Sequence, residues 1–127
     1  MITAESGQKN YLTQLSNGNT GIYSDTTEDK GGGGGYFRPH DLLCAGYAAC
    51  LNISVRMVLD SMNLKYDRVA TKVDVNREQA DSTAFLYQIE IAGDIDAATK
   101  EAVVAKALNC PVRKTLSKKI DFQPLEG

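Results

Sequence analysis

The longest apolar segment of the chain runs from Asp41 to Met62. It contains no proline, and its apolar side chains recur three or four positions apart, which predicts a long α-helix. Those positions are Leu42, Leu43, Gly46, Tyr47, Cys50, Ile53, Met57 and Val58. A helix that is apolar around most of its circumference is buried, either in a domain core or at a subunit interface. Polar and charged residues interrupt the run, so a membrane span is not expected.

Two later segments alternate apolar and polar side chains, the pattern of half-buried strands. One face of the first would carry Val69, Thr71, Val73 and Val75, and one face of the second Phe85, Tyr87, Ile89 and Ile91. We expect these strands to form an antiparallel sheet. Nearer the N-terminus, short apolar runs flank Asn17-Gly18, a dipeptide suited to a type I′ turn, which predicts a β-hairpin.

The C-terminal third predicts a pair of helices and a strand. "DIDAATKEAVVAKAL" reads as a helix that Asp94 or Asp96 can cap. Proline suits the first helical position, so Cys110 is predicted to cap a short helix that begins at Pro111. A last strand is expected from Lys119 to Gln123. The order β-β-α-β-β-α-α-β predicts an α+β fold, with residues 1–127 in a single domain.

Composition and charge narrow the classes of function. The chain has 127 residues, 43% of them apolar, and a formal net charge of −2, as expected of a globular protein. Its 14 basic residues are scattered among 16 acidic ones, which excludes a basic stripe for nucleic acid. The N-terminus lacks the basic start and apolar run of a signal peptide, so we expect a cytoplasmic protein with no membrane partner. A domain of this size would gain stability from a symmetric partner.

The three cysteines carry the candidate chemistry. They lack CxxC or other metal spacing, so neither a disulfide framework nor a metal site is expected, and no cofactor is predicted. Cys44 and Cys50 lie about 240° apart around the helix, and Cys44 is interpreted as core. Cys50 follows Ala48 and Ala49, small residues that would admit a ligand to the sulfur, although an inert buried thiol fits as well. Cys110 would face the free N–H groups of a helix start, which favour thiolate, or would serve as an ordinary cap.

Two motifs of the sequence together carry a resemblance to a known protein family. "RPHDLLCAGYAAC" follows a glycine-rich loop, and "CPVRKTLS" begins 60 residues after Cys50. This combination resembles the OsmC/Ohr family of osmotically inducible and organic hydroperoxide resistance proteins. The resemblance implies an intertwined homodimer whose long central helix carries Cys50 as the peroxidatic cysteine. It also implies that the Cys50 thiolate reduces an organic or hydrogen peroxide, that Cys110 then closes a disulfide, and that a dithiol, in one branch a lipoylated protein, restores both thiols.

The chain departs from the hydroperoxide branch of that family at two positions. That branch has an arginine near the N-terminal strands, where this chain has only lysines, and a glutamate ten residues before the first cysteine, where this chain has His40. A pairing of Arg38 with Asp41 could substitute, or Asp41 is only a favourable acid in the first helical turn. The departures indicate a divergent OsmC-like branch.

Two other classes of function stay open. A non-catalytic, stress-associated small-molecule binding protein would keep the fold while the cysteines pack the core. A thiol hydrolase would need an imidazole beside Cys50, but His40 lies ten residues away, about 15 Å along a helix. His40 is therefore interpreted as a solvent-exposed or loop-anchoring residue.

The stretch "KGGGGGYFRPHD" has neither the order of a phosphate-binding loop nor the position of an interdomain linker. We interpret it as a mobile loop that crosses from the hairpin to the cysteine helix. Tyr36 and Phe37 would then be apolar walls for a substrate.

Overall fold

The computed structural model describes residues 1–126 and confirms the α+β class. In chain order the elements are β1 (Thr3–Ser6), β2 (Thr13–Ser16), β3 (Gly21–Ser24), a 3-10 turn (Glu28–Lys30), α1 (Pro39–Ser61), β4 (Arg68–Asn76), β5 (Ala84–Ala92), α2 (Ala97–Ala107) and α3 (Pro111–Leu116). Contacts divide the chain into two compact units, Met1–Ala45 and the part that begins at Gly46. The single domain of residues 1–127 stays a prediction.

The first unit contains a three-stranded antiparallel sheet in the order β1-β2-β3. The predicted hairpin is β2 and β3, but the predicted type I′ turn is wrong, because only Gly18 of the Asn17-Gly18 pair has a positive φ, 97°. The Asn17 side chain closes the turn instead: its Oδ1 atom accepts the N–H groups of Asn19 and Thr20, each at 2.9 Å. Strand β1 was not predicted, since its residues are all exposed and show no apolar alternation.

The glycine run is held in place by Asp25, a buried residue directly after β3. The Asp25 Oδ2 atom accepts the N–H of Gly33 at 2.9 Å, and Oδ1 accepts the N–H of Tyr11 and of Thr26. A Cβ atom added to Gly32 would lie 2.6 Å from Asp25 Oδ1, so only glycine fits there. The backbone N–H groups of Gly31, Gly32 and Gly34 donate to carbonyls of residues 26–28, so these glycines and Gly33 form a hydrogen-bonded turn. Movement of this loop as a gate stays a prediction.

The substitution Asp25→Asn is expected to release one side of this turn. The amide oxygen of asparagine can still accept from Tyr11 and Thr26, but its NH₂ group cannot accept from Gly33. The pKa of Asp25 is lowered from its ordinary value of 3.8. The largest cause is the hydrogen bond from the backbone N–H of Gly33, and the next is the one from Thr26. Because the folded-state pKa of Asp25 is lowered, its carboxylate contributes fully to stability at a pH above the unfolded-state pKa. That contribution is lost as the pH falls through the folded-state pKa.

Hydrogen exchange at neutral pH measures this effect, and we expect the Gly33 amide to exchange faster in Asp25→Asn than in the wild-type protein. Asp81→Asn, which removes a charge from an exposed loop, is the control. Unchanged protection of Gly33 in Asp25→Asn would contradict the assigned role.

The second unit contains the predicted antiparallel pair, β4 and β5. Their register places Val69 opposite Ile91 and Val75 opposite Phe85, so the predicted apolar faces coincide. From its Gly46 end onward α1 buries one stripe, with residues four positions apart: Tyr47, Leu51, Val55 and Leu59. Together with Ile91 and with Val103 and Ala107 of α2, this stripe supplies the buried core of the unit.

Local backbone conformation and capping hydrogen bonds set where α1 ends and where α2 begins. Asn63, with a positive φ of 54°, ends α1, and the N–H of Leu64 donates to the Leu59 carbonyl at 3.0 Å, as in a Schellman motif. Asp96, one of the two predicted caps, begins α2, where its carboxylate accepts the N–H of Thr99 at 3.2 Å.

The opposite side of α1 is exposed within this chain. Ile53 is 45% exposed and Met57 is 66% exposed, so the chain itself buries the helix on one side only. By length and composition α1 could also cross a membrane, a test that core helices of soluble proteins pass as well. Coverage of this face by a second copy of the chain stays a prediction.

The predicted last strand is wrong. Residues 119–126 form no helix or strand, and Phe122 is 95% exposed. Two alternating apolar residues, Ile120 and Phe122, are too few to specify a strand when no sheet edge pairs with them.

Candidate functional site

The second unit brings Cys50 and Cys110 together, although they lie 60 residues apart in the chain. Cys110 is buried with Tyr47 and Leu51, and Cys50 and Val112 pack against this cluster. Two polar contacts fix α1 against β4 at this level. Thr71 Oγ1 donates to the Ala48 carbonyl at 2.8 Å, and Asn52 Nδ2 donates to the Val69 carbonyl at 3.0 Å.

Helix α3 begins as the sequence predicts, with Cys110 at the cap and Pro111 as the first helical residue. The Val112 N–H is one of the amides that have no partner within a helix of this kind. It donates to the Sγ atom of Cys50 at 3.5 Å. The first turn of α3 thus provides a hydrogen-bond donor to the cysteine of α1, a contact that no local sequence pattern indicates.

The balance of effects on Cys110 is opposite to the one expected at a helix start. Burial raises the pKa of the Cys110 thiol, and the neighbouring Cys50 thiol raises it further. The backbone N–H groups of Arg113 and Val112 act in the other direction but do not outweigh burial. Cys110 is therefore held as a neutral thiol beside Cys50 at neutral pH. Neither Cys50 nor Cys110 is in a disulfide within the described residues.

Arg113 adds a positive charge that sequence analysis did not single out. Its guanidinium carbon lies 5.9 Å from the ring centroid of Tyr87, and the Tyr87 ring packs edge-on against Tyr47 with centroids 6.2 Å apart. Interaction with the Tyr87 hydroxyl, and then with Tyr47, raises the pKa of Arg113 above its ordinary value. Burial raises the pKa of the Tyr47 phenol, and Arg113 partly opposes that rise.

The signal for Arg113 was present in "CPVRKTLS", three residues after Cys110, within the first turn of α3. Its neighbours Tyr47 and Tyr87 come from α1 and β5, so the sequence alone did not indicate what the guanidinium would face.

A cavity of about 370 Å³ opens at this arginine. It is lined by Tyr47, Thr83, Phe85, Tyr87, Arg113, Leu116, Ser117 and Ile120. Tyr47 and Phe85 belong both to this lining and to the cluster that holds the cysteines. The cavity therefore adjoins the cysteine cluster through these two side chains.

The remaining predicted residues lie in the first unit. Arg38 and Asp41 form the pair that the sequence suggested, with Nε to Oδ2 at 3.0 Å and Nη2 to Oδ1 at 2.9 Å. Asp41 Oδ2 also accepts the Arg38 backbone N–H at 2.9 Å, as an acid at the third helical position does in a capping box. The side-chain hydrogen bond from Arg38 lowers the pKa of Asp41. The pair forms, and its action on Cys50 stays a prediction.

Tyr36, Phe37 and His40 also belong to the first unit. The Tyr36 ring packs on Tyr23 with centroids 5.3 Å apart, and Phe37 is exposed. His40 lies in the first turn of α1, next to Asp41. The roles of Tyr36 and Phe37 as substrate walls stay predictions.

Comparison with known proteins decides the family. The sequence model described as "OsmC-like protein" matches residues 31–124, about three quarters of the chain. The chain belongs to the OsmC-like protein family. This OsmC-like chain contains both cysteine motifs within the matched residues, and its family suggests a redox role in resistance to peroxides. No curated protein sequence matches it.

Solved structures share the fold. A putative osmotic stress induced and detoxification response protein from Psychrobacter arcticus has a TM-score of 0.73 and 24% identity, over 90% of this chain and 85% of that one. An OsmC-like protein from Mycoplasma pneumoniae has a TM-score of 0.76 and 16% identity, over 91% and 85%. An organic hydroperoxide resistance protein OsmC from Legionella pneumophila has a TM-score of 0.66 and 24% identity, over 92% and 88%.

Proposed function

We propose that this OsmC-like protein is a thiol-dependent peroxidase that reduces organic or hydrogen peroxides through Cys50, with Cys110 as the resolving cysteine. The observation that supports the proposal most directly is the convergence of the two cysteines at the first turn of α3, where the Val112 N–H donates to Cys50 Sγ. Reversible peroxide reduction by thiols requires such a pair, one to attack and one to close a disulfide.

The order of the two cysteines follows from their surroundings. Cys50 is partly exposed, so a peroxide can reach its sulfur, which accepts the Val112 N–H. Cys110 is 2% exposed, with its pKa raised by burial, so it stays a thiol that a peroxide cannot easily reach. Cys50 is therefore the attacking cysteine, and Cys110 is the resolving cysteine.

The reaction balances in three steps. The Cys50 thiolate attacks the outer oxygen of the hydroperoxide, so that an S–O bond forms while the O–O bond breaks and the alkoxide leaves as the alcohol after taking up a proton. The Cys110 thiol then attacks the sulfenic sulfur of Cys50, which forms the disulfide and releases water. An external dithiol, for which a lipoylated protein is one candidate, supplies two electrons and two protons and returns both thiols.

Thiol titration tests the proposal. We expect the reduced protein to lose two of its three thiols when mixed with one equivalent of cumene hydroperoxide, and peptide mapping to find a disulfide between Cys50 and Cys110. Retention of both thiols, with the hydroperoxide unconsumed, would exclude the peroxidase and favour a binding protein of the same fold. The proposed homodimer is checked separately by the mass of the protein in solution, where a monomer at every concentration would exclude it.

A further inference from the structure

We infer that the cavity at Arg113 binds a carboxylate, and hence that the preferred substrate is an organic hydroperoxide that carries a carboxylate group. That the bound carboxylate compound is a substrate rests on the proposed function. The binding site itself rests only on the geometry of the cavity. Three features of the described residues carry it: the charge of Arg113, the aromatic walls around it, and its position relative to Cys50.

Arg113 is an exposed residue at the cavity, and no carboxylate of residues 1–126 forms an ion pair with its guanidinium. Among residues 1–126, ion pairs join Arg38 to Asp41 and Arg68 to Glu90, and Arg113 takes part in neither. Its neighbours at the cavity are the phenols of Tyr47 and Tyr87, which can hydrogen-bond but leave the positive charge in place. A guanidinium has five N–H donors in a planar fork that matches a carboxylate.

The other side chains that line the cavity suit the uncharged part of such a ligand. Phe85, Leu116 and Ile120 are apolar, and the rings of Tyr47 and Tyr87 meet nearly at right angles. A site of about 370 Å³ lies within the usual range for small-molecule pockets, with a few polar groups that fix the orientation of the ligand. Hydrogen peroxide would leave most of this apolar surface uncovered, whereas an aromatic or alkyl hydroperoxide would cover it.

The position of Arg113 links the cavity to the reaction. Arg113 directly follows Val112, whose N–H donates to Cys50 Sγ, so one turn of α3 carries both the charge and the contact to the sulfur. Tyr47 is shared between the cavity and the cluster that buries Cys110. A carboxylate held at the guanidinium would therefore position the rest of the molecule beside the cysteine pair. Arg113 acts here as a residue that determines specificity.

Two hydroperoxides that differ only in charge test the inference: cumene hydroperoxide and its para-carboxylate. We expect kcat/KM of the wild-type protein to favour the carboxylate about fivefold, and added salt to reduce that preference. Arg113→Gln should bring the ratio to about one, mainly through KM, and Arg113→Lys should keep part of it. Lys114→Gln, which removes the neighbouring charge from α3 outside the cavity lining, should leave the ratio unchanged.

A binding assay separates this inference from the proposed function. In Cys50→Ser protein, 4-(2-hydroxypropan-2-yl)benzoate should bind more tightly than the neutral cumyl alcohol, and additional Arg113→Gln should remove the difference. Arg113-dependent binding without any turnover by the wild-type protein would support the site and overturn the peroxidase. The inference would be overturned if wild type and Arg113→Gln each turned over both hydroperoxides equally. It would also be overturned if Lys114→Gln lost the preference as fully as Arg113→Gln. Neither outcome would contradict the proposed peroxidase activity.

Discussion

Replacement of Cys50 by serine is expected to lower the rate of hydroperoxide reduction by about three orders of magnitude or more, because a serine hydroxyl stays protonated at neutral pH and is a weak nucleophile. Cys44→Ser is the matched control. Cys44 lies on the same helix and is the third cysteine of the chain. It has no place in the proposed reaction, so its variant should retain wild-type activity. The measurement is peroxide consumption with a dithiol present.

Cys110→Ser should separate the two halves of the reaction. The first turnover should proceed, because Cys50 keeps the N–H of Val112, but the sulfenic acid should then persist and oxidise further to sulfinic acid under excess peroxide. Mass spectrometry detects the added oxygens. Full multiple-turnover activity in Cys110→Ser would show that Cys110 does not resolve, and full activity in Cys50→Ser would refute the mechanism.

Leu51→Ala should be among the most destabilising single substitutions in the protein. Leu51 has no exposed surface and packs with Tyr47 and Cys110 under the candidate site. Truncation of such a leucine removes buried apolar surface and leaves a cavity, at a cost of about 2 to 5 kcal/mol. The total stability of a domain is on the order of 5 to 15 kcal/mol, so a large part of it would be lost.

The free energy of unfolding from urea titration measures this loss. Leu125→Ala makes the same chemical change at a side chain that is 80% exposed, and it should alter the free energy by about 0.5 kcal/mol or less. A Leu51→Ala protein as stable as Leu125→Ala would contradict the packing described around Cys110.

Much of the fold was accessible from local patterns. The periodic run around Cys50 predicted α1, and alternation predicted β4 and β5 with the correct faces together. Cys110-Pro111 predicted the start of α3, because a proline at the first helical position satisfies a purely local requirement. Errors arose where local signals were short: β1 shows no apolar alternation, and the segment at Ile120 has no strand to pair with.

The candidate site was predicted only in part. Cys50 and Cys110 were predicted from their motifs. The pairing of Arg38 with Asp41, one of the two roles considered for Asp41, forms in the structure. The role of Asp25 as the anchor of the glycine run was not anticipated, because its partners Tyr11 and Gly33 lie 14 and 8 residues away. Arg113 was missed for the same reason.

The sequence by itself determined the helices, the antiparallel pair of β4 and β5, the start of α3 at Cys110-Pro111 and the family of this protein, and it left Asp94 and Asp96 as alternative caps of α2. These features depend on residues within a few positions of one another, where periodicity and capping chemistry act directly. Only the tertiary structure decided that an amide of α3 reaches Cys50, that burial keeps Cys110 a thiol, and that Arg113 meets two tyrosines at a cavity. Those features depend on packing between residues as much as 66 positions apart, such as Arg113 and Tyr47, which no local pattern encodes.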